Sequence, residues 1–113
     1  MTATLLDRLP AHLEVGGLIR LAQAEGGFAS VLHKGERDAG TILLVITERG
    51  INPRLFERLP HADGTRGWSA NSTQSTESKD EFDAYLARRQ TQDPDLWIVE
   101  LDIANGERLI GLT

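Results

Sequence analysis

The run Thr41-Ile42-Leu43-Leu44-Val45-Ile46-Thr47 places five consecutive aliphatic side chains between two threonines. Successive side chains of a strand point to opposite faces, so this strand is apolar on both. It therefore has to lie centrally in a sheet that is covered on both sides, by helices or by a partner. The chain has 113 residues, of which 40% are hydrophobic and 26% charged. That length buries roughly 65% of the surface an unfolded chain exposes, enough for one core without staples, and the composition is that of a globular domain.

Hydrophobic periodicity sets out the remaining elements. Residues 1–11 show no clear period, end near Pro10 and read as a loose N-terminal arm, leaving 12–113 as a single domain. His12-Leu13-Glu14-Val15 alternates as a short strand would. Leu18, Leu21, Ala22 and Glu25 recur at helical spacing, giving a helix over about 17–25 closed by Gly26-Gly27. Val15, Leu18, Ile19 and Ala22 fit the same template, so an earlier start is also open. Phe28–His33 and Thr41–Thr47 then read as a hairpin around the Gly35–Gly40 turn. Glu48–Pro53 turns the chain, Arg54–Leu59 alternates, and Asp63-Gly64 predicts a second hairpin that sets Leu59 opposite Trp68.

The stretch Asn71–Thr76 is polar and reads as a loop. Ser78-Lys79-Asp80-Glu81 has the capping-box pattern of a helix start, and Phe82, Tyr85, Leu86 and Arg89 share one face of the helix that it opens. Pro94 stops that helix, Leu96–Ile103 is a strand, and Asn105-Gly106 predicts a terminal hairpin returning through Glu107–Ile110. The expected order is (short β)-α-β-β-β-β-α-β-β. That is an α+β fold with a mainly antiparallel sheet of about five to six strands and two helices covering one face.

Several chemistries are excluded. The chain has no cysteine, so disulfides, thiolate nucleophiles and cysteine-ligated zinc or iron–sulfur centres cannot form. His12, His33 and His61 have neither metal-site spacing nor each other as neighbours, and no Gly-x-Ser-x-Gly elbow is present. No metal or cofactor is expected. A net charge of -5 opposes a polyanion-binding surface, so Arg54, Phe56 and Arg58 make a poor nucleic-acid platform. The N-terminus lacks a basic start and an apolar core, and no run approaches the ~20 apolar residues of a membrane span. A cytoplasmic protein that avoids membranes is the expectation.

Two charged clusters remain as ligand-binding candidates. Arg88, Arg89, Asp93 and Asp95, with Glu100 nearby, could hold a hard cation or a phosphate ester. Helix stopping at Pro94 and an Arg89–Asp93 pair explain the same residues as a structural latch. In Lys34-Gly35-Glu36-Arg37-Asp38-Ala39-Gly40, Lys34, Arg37 and Asp38 with the two glycines could form an anion nest. A solvated turn is the plainer reading.

Three of these segments also carry a resemblance. Ala24-Glu25-Gly26-Gly27-Phe28-Ala29, then Lys34 to Leu43, then Arg88-Arg89 with Asp93-Pro94-Asp95-Leu96-Trp97-Ile98-Val99-Glu100 resemble a family of small bacterial proteins, domain of unknown function 1491. The resemblance implies a stand-alone, one-domain, cytoplasmic protein and carries over no catalytic residue. The expected function is a small binding or protein-interaction module without catalytic activity, as a homo-oligomer or with a protein partner. Its competitor is a small enzyme or ligand-binding protein acting on a phosphorylated or acidic compound through the Arg/Lys/Asp cluster. That competitor requires cationic side chains to converge in a concave pocket.

Overall fold

The computed structural model describes residues 9–60, 66–71 and 79–111. In chain order the elements are α1 (Ala11–Ala24), β1 (Phe28–His33), β2 (Ile42–Glu48), β3 (Ile51–Pro60), β4 (Arg66–Ala70), α2 (Lys79–Gln92) and β5 (Trp97–Asp102), then a short 3-10 helix, Gly106–Ile110. The strands form one sheet in the order β1-β5-β2-β3-β4. All pairings are antiparallel except β2 with β5. The expected class holds: two helices and a five-stranded, mainly antiparallel α+β sheet.

β2 sits at the centre, as its doubly apolar pattern requires. The two helices, however, lie on opposite faces and not on one. Ile42, Leu44 and Ile46 point toward α1, with Phe56, Trp97, Val99 and Leu101 beside them and Val15, Leu18 and Ala22 covering them. Leu43 and Val45 point the other way, with Leu55, Leu96 and Ile98, and α2 covers them through Phe82. Leaving either strand face in water would cost roughly 1.5–3 kcal/mol per exposed aliphatic side chain, so a helix on each face is what keeps such a strand dry.

Four local expectations are corrected. His12–Val15 belongs to α1, because Ala11, Val15, Leu18 and Ala22 are all buried and their spacing is helical. β1 and β2 do not pair directly. β5 lies between them, antiparallel to β1 and parallel to β2. Its residues from Trp97 to Val99 are buried without interruption, so it needs an interior slot, whereas β1 is largely exposed and suits an edge.

The terminal hairpin is absent for the same reason: both sides of β5 are already occupied. Asn105 does turn the chain with φ 54°, but it leads into the 3-10 helix, which packs Leu109 and Ile110 against the α1-side core. Finally, β3 and β4 align Arg58 with Trp68 and Leu59 with Gly67. Phe56, on the same face as Arg58, is buried. His61, the Asp63-Gly64 turn, Ser72–Thr76, Ser78 and residues 1–8 of the expected arm lie outside the described residues.

The β2–β3 connection is a two-residue turn in which Arg49 and Gly50 both have positive φ, at 54° and 76°, the geometry that matches strand twist in tight hairpins. The Asp102 carboxylate, on neighbouring β5, accepts both turn N–H groups, from Arg49 at 2.6 Å and Gly50 at 2.9 Å. No described helix is long and apolar enough to cross a membrane.

Candidate functional site

The Lys34–Gly40 loop and the aspartates of the other candidate cluster meet at one end of the sheet. The loop crosses the start of β5, and the Glu36 N–H donates to the Asp95 carbonyl at 2.9 Å. The Trp97 indole N–H donates back to the Glu36 carbonyl at 2.7 Å. A side chain added at Gly35 or at Gly40 would overlap the Asp95 carbonyl oxygen. Both glycines are therefore demanded by close backbone approach. Glu36 turns inward on its own loop and accepts the Ala39 and Asp38 N–H groups, which hold its carboxyl below the usual carboxylate range.

Lys34, Arg37 and Asp38 project from this clasp into solvent, with Arg37 Nε 3.9 Å from Asp38. Asp93 accepts the Asp95 N–H at 3.1 Å, an Asx turn that shapes the exit from α2. Asp95 is exposed.

Arg88 and Arg89 stand apart from the clasp. Arg89 does not pair with Asp93. It reaches across to Glu57 on β3, donating from Nη1 to Oε1 at 2.6 Å and from Nη2 to Oε2 at 3.1 Å. The bidentate bond to Glu57, chiefly, raises the guanidinium pKa further. The Tyr85 hydroxyl oxygen accepts from Arg89 and from Asn71, and Asn71 also donates to Glu57. Arg88 is exposed, with its guanidinium 5.7 Å from the Tyr85 ring centre.

β3 carries two further ties on its other face. Arg54 donates to Glu107 of the 3-10 helix at 2.6 and 3.0 Å, and Arg58 Nε lies 2.9 Å from Glu14 of α1. The Arg58 Nε–H itself makes no hydrogen bond, and the guanidinium also lies 5.5 Å from the Trp68 ring centre.

Besides an open depression along α2, bordered by Ala84, Ala87, Arg88, Thr91 and Gln92 with Arg88 its lone charged side chain, two concavities stand out among the described residues. One, of about 560 Å³, lies at the end of the sheet near Phe28, Arg49 and Ile103. Its acids are engaged: Glu25 with Arg108 at 2.8 Å, Asp102 with the turn, and Glu48 with the Asn105 N–H. The other, of about 420 Å³, runs between α2 and the sheet. Its walls are Val45, Ile51, Pro53, Phe82 and Leu86, and Leu32 stands at its mouth. On its floor the Thr47 hydroxyl donates to Glu100 Oε2 at 3.1 Å. Lys79 and Asp83, one turn apart on α2, pair along its helix side at 2.8 Å. An apolar groove of this size with a few convergent polar groups is the usual form of a small-ligand site.

A model of the family described as protein of unknown function (DUF1491) matches residues 9–111. The chain belongs to the DUF1491 family. A crystal structure of a DUF1491 family protein from Caulobacter crescentus CB15 is 34% identical, with a TM-score of 0.78, covering 92% of this chain and 96% of that one. An NMR structure of a DUF1491 family protein from the same organism is 32% identical, with a TM-score of 0.76 and coverage of 93% and 94%. The solution structure of protein Atu0922 from A. tumefaciens is 29% identical, also with a TM-score of 0.76, and covers 94% and 95%. No curated protein matches the chain.

Two of the segments that carry the DUF1491 resemblance are thus the two halves of the Glu36–Asp95–Trp97 clasp. Sequence reasoning counts Glu100 only as a neighbour of the arginines and passes over Thr47, Phe82 and Leu86 as groove residues. A signal exists for Glu100: it is an acid within the apolar run from Leu96 to Ile103, facing the same side as Ile98. Nothing local can show that Thr47 lies beside it, because that depends on the parallel pairing of β2 with β5.

Proposed function

We propose that this DUF1491 protein is a small binding module without catalytic activity, whose ligand enters the groove between α2 and the sheet. One observation carries the reading. The groove presents apolar walls around a carboxylate and a hydroxyl, with the Lys79–Asp83 pair beside them, whereas the candidate cations do not converge: Arg89 is held by Glu57, Lys34 and Arg37 point into solvent, and Arg88 borders an open depression on α2 with no second cation. Among the described residues, no group of three or more histidines and acids is arranged to hold a metal ion. An enzyme acting on an acidic or phosphorylated compound would need those same cations brought together.

The test is a titration of ¹⁵N-labelled protein with the neutral probe 2-phenylethanol. Amide shifts concentrated at Thr47, Phe82, Leu86 and Glu100, and lost in Leu32→Asp at the groove mouth, are expected. Shifts confined to other surfaces would overturn the reading.

A second reading rests on β1. This edge strand carries no charge and no proline, two devices that ordinarily blunt sheet edges, and Phe28 on it is 75% exposed. A bulge between Val31 and His33 leaves Phe28–Val31 regular, so antiparallel pairing of two copies would centre there. Light scattering over a concentration series should show a dimer that Phe28→Lys disrupts, and a strict monomer throughout rejects it.

A further inference from the structure

We infer that the groove selects a cation: its occupant is a primary amine on an apolar body, the ammonium set against Glu100 and the body against Phe82, Leu86 and Ile51. This rests on the groove being the binding site, and it adds the class of ligand.

Each remaining partly buried acid among the described residues faces an arginine or takes a backbone N–H. Glu14 lies against Arg58, Glu57 against Arg89 and Glu107 against Arg54. Glu36, Glu48, Asp93 and Asp102 accept backbone N–H groups.

Glu100 is the exception. Its hydrogen-bond donor is the hydroxyl of Thr47, a residue only 4% exposed; Lys79 is near enough to interact with it electrostatically but bonds to Asp83 instead, and no described cation lies within ion-pair distance. Taking a carboxylate partly out of water without a cation is unfavourable, and an ammonium in the groove would relieve it with a charge-assisted hydrogen bond.

The rim agrees in sign. Lys79 is committed to Asp83, and both are largely exposed, at 85% and 54%. Together with Glu100 the groove therefore carries one lysine against two carboxylates, within a chain of net charge -5. An anion would meet Glu100 at the floor and would have to compete with Asp83 for Lys79. A cation meets an acceptor at both levels, and the apolar walls suit an aromatic or branched aliphatic body.

Three probes of one shape separate the possibilities: 2-phenylethylamine, 2-phenylethanol and 3-phenylpropionate, titrated against the full chain by NMR at pH 7. The amine is expected to bind about 10-fold or more tightly than the alcohol, and the acid most weakly. In Glu100→Gln, which keeps an acceptor for Thr47, the amine should lose its advantage over the alcohol. Asp83→Asn should keep most of the preference, which would exclude a general effect of negative surface charge.

An amine no tighter than the alcohol, or a preference that survives in Glu100→Gln, overturns the charge inference and leaves the groove standing. If none of the three probes moves the groove resonances, the groove reading falls and this inference with it. The ranking on the wild-type chain is decisive even if a variant fails to fold.

Discussion

Arg89 of α2 and Glu57 of β3, 32 residues apart, meet through two guanidinium nitrogens and both carboxylate oxygens. On α2 only Phe82 is buried, so this pair is a main tie between a polar helix and the sheet. Arg89→Ala leaves Glu57 uncompensated and should lower unfolding free energy by about 2–3 kcal/mol. Replacing both residues by aliphatic ones should recover most of that loss, because a desolvated ion pair contributes little net stability over apolar packing. Urea denaturation of the two singles and the double decides it. A loss well under 1 kcal/mol for Arg89→Ala would mean that the pair behaves as an exposed one.

The clasp makes a contrasting pair of predictions for glycine. Gly35→Ala drives a methyl group into the Asp95 carbonyl oxygen, and the loop can make room only by giving up its bond to β5. A loss of about 2 kcal/mol or more is expected. Gly17, inside α1, has open space where a methyl group would stand. Gly17→Ala should therefore stabilise the chain by about 0.5–1 kcal/mol. Thermal melts of the two variants should move in opposite directions.

Asp102→Ala removes the acceptor for both N–H groups of the Arg49-Gly50 turn. The turn is solvent-exposed, so water replaces part of the bonding, and the cost should be about 1–2 kcal/mol. Amide exchange at Arg49 and Gly50 should rise more than exchange in the middle of β2. Equal acceleration across the sheet would show that the carboxylate supports the whole sheet and not the turn.

Acid should weaken the chain through Glu107. Its bond to Arg54 holds its pKa below the ordinary 4.5, so the folded state binds its proton less readily than the unfolded chain. The stabilisation is present above about pH 4.5 and is lost as pH falls through the lower folded value. Solvent screening limits the effect to about 1 kcal/mol at most. In Glu107→Gln the fall in melting temperature between pH 5 and pH 3 should be shallower than in the wild-type chain, and an equal slope would assign the acid sensitivity elsewhere.

The legible and illegible parts of the fold divide by range. Helical spacing of Phe82, Tyr85, Leu86 and Arg89 and the Pro94 stop are read within a turn or two of chain, and each appears in the structure, whereas Asn105 turns the chain into a 3-10 helix and not into the expected hairpin. The clasp is half legible: Gly35, Gly40, Asp95 and Trp97 all stand out in the sequence, but as parts of separate motifs. Their mutual fit depends on a loop and a strand start some 60 residues apart. Four residues is helical contact distance, which makes Asp93 the local partner for Arg89, whereas Glu57, distant in sequence, offers a carboxylate fixed on a strand that takes both nitrogens.

By itself the sequence determined that a doubly apolar strand would occupy the centre of a covered sheet, that two helices would accompany it, and that neither cysteine chemistry nor a familiar hydrolytic motif was available. Only the tertiary structure decided the order of the strands, the placing of one helix on each face and the partners of the charges. The reason is physical. Alternation and helical period record which face of an element avoids water, but not which other element covers it. β5 enters between β1 and β2 because its own burial demands an interior place, and that one insertion sets Thr47 beside Glu100 and leaves Glu100 as the carboxylate on the groove floor.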